Sequence, residues 1–185
     1  LMMTCKTEKR PRLLSLEDAA EMIESGDSIW VGSFLSTPSL FLDELADHCE
    51  ELHNVTVLGC HYTNYSKLLV DPKYKKVFSV ISFFEPAMFR STKFVASNIE
   101  HIKKPGRPYQ KTLVDKFNIN TMIVEVCPPD NYGNCNVGVT GRTITPYLSK
   151  CEGITKKIAV INNLQRPSLA KGELISLPLS DFDYI

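Results

Sequence analysis

The chain has 185 residues, 43% of them hydrophobic, with 21 basic and 21 acidic side chains and a formal net charge of zero. That length supports one compact domain with a full core. The even mixing of both signs gives no electrostatic footprint for nucleic acid or an anionic membrane, and no run of about 18 apolar residues offers a membrane span.

Residues 1–13 open with LMMTCKTEKRPR, a polar, basic stretch without an apolar signal core, so they read as an extension and the chain as cytoplasmic. From Leu14 onward, helical and strand patterns alternate. Ser15 with Asp18 looks like a helix start, and Leu16, Ala19, Ala20 and Ile23 fall on one face before Gly26 ends the helix. SIWVG (28–32) has strand composition. Pro38 then fits the first turn of a second helix on which Phe41, Leu45 and Leu52 share a face. NVTVLGC (54–60), KVFSVI (76–81), TMIVEV (121–126) and KIAVI (157–161) complete a series of mostly non-alternating apolar strands, the kind buried on both faces of a sheet. Between them, PAMFRSTKFVA (86–96) reads as a helix and NIEHIKKPGRPYQ (98–110) as a loop. The pattern predicts an α/β domain over 14–185, a mainly parallel open sheet flanked by helices. The chain stops on apolar residues in ISLPLSDFDYI, which suggests that it once continued.

Chemistry-bearing residues are few. Cys5, Cys49, Cys60, Cys127, Cys135 and Cys151 are scattered and read as reduced thiols. His48, Cys49, His53, Cys60 and His61 imitate a metal set, but His48 and His53 do not stack on one helical face and no C-x-x-C pair exists, so no metal site is expected. Dinucleotide, P-loop and nucleophile-elbow motifs are missing. Glu85 is the one carboxylate in a strongly apolar loop, where desolvation would raise its pKa, but a helix-start role explains it more simply. Glu125 lies within a strand and is expected to face a partner or solvent.

Two strand-end loops stand out. VGSFLSTPSL carries Gly32, Ser33, Phe34 and Pro38, and CPPDNYGNCNVG carries Pro128, Pro129, Asp130, Gly133, Asn136 and Gly138. Adjacent prolines fix two φ angles and remove two N–H donors, while glycines admit backbone that other residues avoid, so the second loop has a costly, specific shape. Parallel strands would set both loops at one edge of the sheet, where ligands of open α/β folds bind.

INTMIVEVCPPDNYGNCNVGVT (119–140) resembles the segment that acetyl-CoA hydrolases and CoA-transferases of the 4-hydroxybutyrate type carry in their N-terminal half. Pro128, Pro129, Asp130, Gly133 and Gly138 match that pattern, with Cys127 and Asn136 in place of small hydroxyl residues. SLEDAAEMIESGDSIWVGSF is similar to the family's opening helix, strand and glycine turn, and IAVINNLQRP to its strand ending in Asn163 and Pro167. The resemblance implies two related α/β domains in tandem. It also implies transfer of coenzyme A between short-chain carboxylic acids such as acetate and 4-hydroxybutyrate, through a glutamyl-CoA thioester.

In that family the nucleophilic glutamate lies in a C-terminal domain that this sequence lacks, so no catalytic residue is assigned here. The expected substrates are acyl-CoA and a carboxylic acid, with coenzyme A as substrate and no tightly bound cofactor. The expected partners are the C-terminal domain and further copies in a homo-oligomer. The substrate-binding residues expected are the ten just named in the two strand-end loops. A docking face containing Phe83, Phe84 and Phe89 is also expected, and the chain by itself should be inactive and should self-associate. The alternatives are an acyl-CoA hydrolase and a non-catalytic binding or subunit-interface module of the same fold.

Overall fold

Ser15 starts the first helix by a capping box: its hydroxyl accepts from Asp18 N–H at 3.0 Å and the Asp18 carboxylate accepts from Ser15 N–H at 3.3 Å. In the computed structural model, which describes residues 9–32, 34–59, 62, 66–82, 100–101, 114–141, 145–169 and 175–185, this helix is α1 (Leu16–Glu21). It ends one turn before Gly26. The second helix, α2, spans Ser39–Asp47 with Pro38 at its N-cap. Leu52 lies beyond its end: the chain leaves helical geometry at His48, and Leu52 packs on the core from the following turn.

Among the described residues six parallel strands form the sheet: β1 (Ser28–Trp30), β2 (Val55–Gly59), β3 (Phe78–Ser82), β4 (Glu100–His101), β5 (Thr121–Val126) and β7 (Lys156–Ile161), in the order β4-β3-β2-β1-β5-β7. β3 begins two residues later than its apolar pattern because Pro72–Lys76 forms a 3-10 turn capped by Asp71. Glu100–His101, expected in a loop, pairs with the end of β3. The helix expected over 86–96 and the face at Phe83, Phe84 and Phe89 lie outside the described residues, as does Glu85.

Side chains alternate between two buried layers. Ile29, Val31, Val57, Ile123 and Ile158 pack under α1 and α2 with Phe41, Leu42 and Leu45. Trp30, Leu58, Met122, Val124, Val126 and Ala159 face the other way, onto Val137, Leu148, Leu177 and Phe182. Burial on both faces is why the strands read as continuous apolar runs. The second layer is completed by short elements that the sequence pattern does not reveal: β6 (Asn134–Asn136), the helical turns Gly138–Gly141 and Thr145–Leu148, and β8 (Ser176–Pro178), with β6 and β8 antiparallel.

The strand starts are bolted together by one polar network. Lys156 Nζ donates to Asp27 Oδ2 at 2.9 Å and to Met22 O at 2.6 Å, and Asn120 Nδ2 donates to Asp27 Oδ1 at 2.9 Å. Asn120 Oδ1 in turn accepts from Ser28 N–H at 3.0 Å. Asp27 is almost fully buried, so each of its oxygens needs these donors. The network fixes β1, β5 and β7 at the edge opposite the strand-end loops.

Candidate functional site

From β1 the chain adds β2, β3 and β4 on one side, then crosses to the other side to place β5. The strand order therefore reverses between β1 and β5, and the crevice beyond their carboxyl ends is where ligands of open α/β sheets bind. Both loops singled out by the sequence leave from that point.

The loop after β1 turns at Gly32, where φ is +82° and a Cβ would stand 2.7 Å from the Ser36 carbonyl oxygen. A 3-10 turn (Phe34–Ser36) follows and delivers Pro38 to the start of α2, which has no side-chain cap. Ser36 Oγ donates to Val137 O at 3.0 Å and so ties this loop to the stretch after β6. There, Asn136 Oδ1 accepts from Gly138 N–H and from Ser168 N–H, both at 2.9 Å, while its Nδ2 donates to Ser168 O at 3.1 Å. Gln165, after β7, donates from Nε2 to Leu35 O at 3.3 Å. Gly138, with φ +71°, leaves room for that amide: a Cβ would come within 2.8 Å of Gln165 Nε2. Three loops are thus interlocked by side chains that each serve two of them.

Between the loops lies a cavity of about 390 Å3, lined by Leu35, Ser39, Leu40, Glu125, Val139, Asn162, Leu164, Gln165 and Arg166. A groove of about 610 Å3 continues from it past Leu13, Leu16, Val160 and Ile185, sharing Leu40, Glu125, Asn162 and Leu164. Glu125 stands at the end of the apolar layer that contains Ile123 on the same strand, two residues before it. Asn162 Nδ2 donates to its Oε1 at 2.8 Å. Burial pushes the Glu125 carboxyl above its ordinary range, and the bond from Asn162 draws it partly back. The nearby thiols are held protonated: burial raises Cys127, and burial, with Asp130 and Cys127 adding to it, raises Cys135 to about 11. Neither is activated as a nucleophile.

Of the expected site residues, the structure brings Gly32, Asn136 and Gly138 to the interlock and Pro38 to the mouth of α2. Pro128, Pro129 and Asp130 are exposed and Gly133 is half-buried, in a turn between β5 and β6 that does not line the cavity. Asp130 holds that turn, accepting from Tyr132 N–H at 2.8 Å and Asn134 N–H at 2.9 Å, and Gly133 has φ +76° with no atom within 4 Å of a Cβ. Ser33 lies outside the described residues, and Phe34 is described only through its backbone. Ser36, Asn162 and Gln165 are not among the expected site residues, and Glu125, expected to face a partner or solvent, meets Asn162 at the cavity wall. A carboxylate interrupting an otherwise apolar strand was the available signal.

No family model and no curated relative matches the chain. Among solved structures it is similar to RipA from Yersinia pestis, with a TM-score of 0.78 and 19% identity over 94% of this chain and 41% of that one. It is also similar to a 4-hydroxybutyrate CoA-transferase from Porphyromonas gingivalis, with a TM-score of 0.69 and 17% identity over 94% of this chain and 38% of that one. The decarboxylase AibA/AibB gives a TM-score of 0.60 and 14% identity, over 95% of this chain and 82% of that one. The fold is CoA-transferase-like, and the chain spans about two fifths of the length of the first two structures. Among the described residues, no helix is long and apolar enough to cross a membrane.

Proposed function

We propose that this CoA-transferase-like domain is the N-terminal half of an enzyme that moves coenzyme A between short-chain carboxylic acids such as acetate and 4-hydroxybutyrate. The observation that carries the reading is the convergence of three strand-end loops on one cavity at the β1/β5 switch point. A second α/β domain covers this edge and supplies the nucleophile. Its glutamate attacks the acyl thioester and expels CoA thiolate, leaving an acyl-glutamyl anhydride. The thiolate then attacks the glutamyl carbonyl, forming the enzyme thioester and releasing the first acid. A second carboxylate reverses these steps and takes the CoA.

This chain's part is positional. The start of α2 has no side-chain cap, and its first two residues, Ser39 and Leu40, line the cavity. Leu35, Leu40, Val139 and Leu164 exclude water from the acyl group, and the Gly32–Ser36 and Gly138–Gln165 contacts hold the wall in place. The test is an assay of CoA transfer from acetyl-CoA to butyrate or 4-hydroxybutyrate by this chain alone and by this domain joined to its C-terminal partner. Turnover is expected only from the joined protein. Turnover by the chain alone at the rate of the joined protein would overturn the division of labour.

One observation favours a second reading. AibA/AibB matches over most of its own chain as well as this one, which suits a separate subunit or binding module of the same fold. A joined protein that is inert with every short acyl-CoA, yet binds them, would support that alternative.

A further inference from the structure

The strand-end edge carries more exposed apolar side chain than a free surface needs. Leu13, Leu35, Leu40, Val139 and Leu164 are each more than half exposed, Leu164 at 90%. They are not scattered: all five line the two adjoining hollows at this edge. Isolated exposed leucines are ordinary, but a contiguous group rimmed by polar residues marks an interaction surface. Five separate side chains around an open groove are also more than one small acid can cover.

Charge decides what fits. Among the described residues, two formal charges line the cavity, the Glu125 carboxylate and the Arg166 guanidinium. Glu125 is half-buried, and among the described residues its hydrogen bond comes from Asn162 to Oε1. Arg166 is exposed and forms no ion pair with any described residue, Glu125 included. A surface that carries both signs, unpaired with each other across apolar ground, is complementary to itself. In a two-fold interface every contact of residue i with j is repeated by j with i, so one Glu–Arg pairing is made twice.

We infer that in the isolated chain this edge docks a second copy of itself about a two-fold axis, with the leucines packed together and Arg166 of each copy paired with Glu125 of the other. The inference rests on the reading of this edge as a covered surface, and in the joined enzyme the second domain takes the place of the second copy. The contact is modest in area, so the dimer is weak and concentration-dependent.

Sedimentation velocity from about 10 μM to about 1 mM tests it, the upper end reaching the range of weak affinities. The wild-type chain is expected to shift from monomer to dimer with rising concentration. Leu164→Asp, whose side chain is exposed and whose fold is checked by circular dichroism, should remain monomeric. Glu125→Arg and Arg166→Glu should each weaken the dimer by about tenfold or more, because both pairings become like-charged. An equal mixture of those two variants should recover it, since each charge then meets its opposite across the interface. A salt bridge within one chain cannot produce recovery on mixing. A wild-type chain monomeric throughout, or a mixture no tighter than its components, would overturn the inference. Either result would leave the CoA-transfer assay unaffected, so the two readings fail separately.

Discussion

Gly32 and Gly133 share a left-handed backbone, but only Gly32 is also wedged against a neighbour. A Cβ at Gly32 meets a backbone oxygen that cannot swing away, whereas a Cβ at Gly133 meets nothing. Gly133→Ala should therefore cost about the 1–2 kcal/mol of the conformation alone. Gly32→Ala should cost clearly more, with urea midpoints providing the comparison. Asp27 gives a third case at the opposite edge. Removing its carboxylate leaves the part-buried Lys156 ammonium with Met22 O alone and strips Asn120 of its acceptor, so Asp27→Ala should destabilise by about 2–4 kcal/mol. Equal midpoints for Asp27→Ala and wild type would show that the bolt contributes nothing. Glu125 should act in the reverse sense. Its pKa is raised on folding, so the stability linked to it is present below the ordinary carboxylate range and lost as pH rises through the folded value. Glu125→Gln should then be more stable than wild type at neutral pH and lose that advantage in acid. A carboxylate retained at a cost to stability is what a surface specified by charge requires.

The elements show how much the sequence reveals. α1 was legible because its capping box is local, and β5 because an apolar run bounded by two prolines has few alternatives. Leu52 fell on the α2 face by periodicity, yet the helix stops at Asp47, since spacing alone does not report where a helix ends. β6 and β8 were missed for another reason: each is three residues long, and their pairing joins positions about forty apart, which no local pattern encodes. The cavity behaves likewise. Gly32 and Gly138 were readable as turn residues, but Ser36 and Gln165 become functional candidates only when three loops meet. At this scale the α1–α2 contact is pH-sensitive. A hydrogen bond to Glu44 O raises the His48 pKa, desolvation opposes it, and the carboxylates of Glu44, Glu17 and Glu21 add to the rise. The stability it contributes should be complete below about pH 6.5, the unfolded value, and should fade as pH rises through the higher folded value. His48→Gln should abolish that part of the pH dependence in thermal melts recorded between acid and alkaline buffers. A variant whose melts follow the wild-type pH profile would remove His48 from the account.

For the whole molecule, the two edges of the sheet divide the labour. The strand starts are locked by Asp27, Asn120 and Lys156, while the strand ends carry glycine turns, exposed leucines and a half-buried carboxylate. Stability lies at one end and an uncovered surface at the other. That surface, completed by a second domain, is the proposed wall of a CoA-transfer site. The measurement that tests this most directly is CoA transfer from acetyl-CoA to 4-hydroxybutyrate by the domain joined to its C-terminal partner, with turnover expressed per folded molecule. Gly138→Ala and Gln165→Ala should each lower it by one to two orders of magnitude, because displacing a pocket wall by about 1 Å can cost on the order of a hundredfold in rate. His48→Gln, on the remote end of α2, should leave it unchanged. Turnover per folded molecule equal to wild type in both cavity variants would mean that the interlocked loops are architecture alone, and would contradict the proposed site.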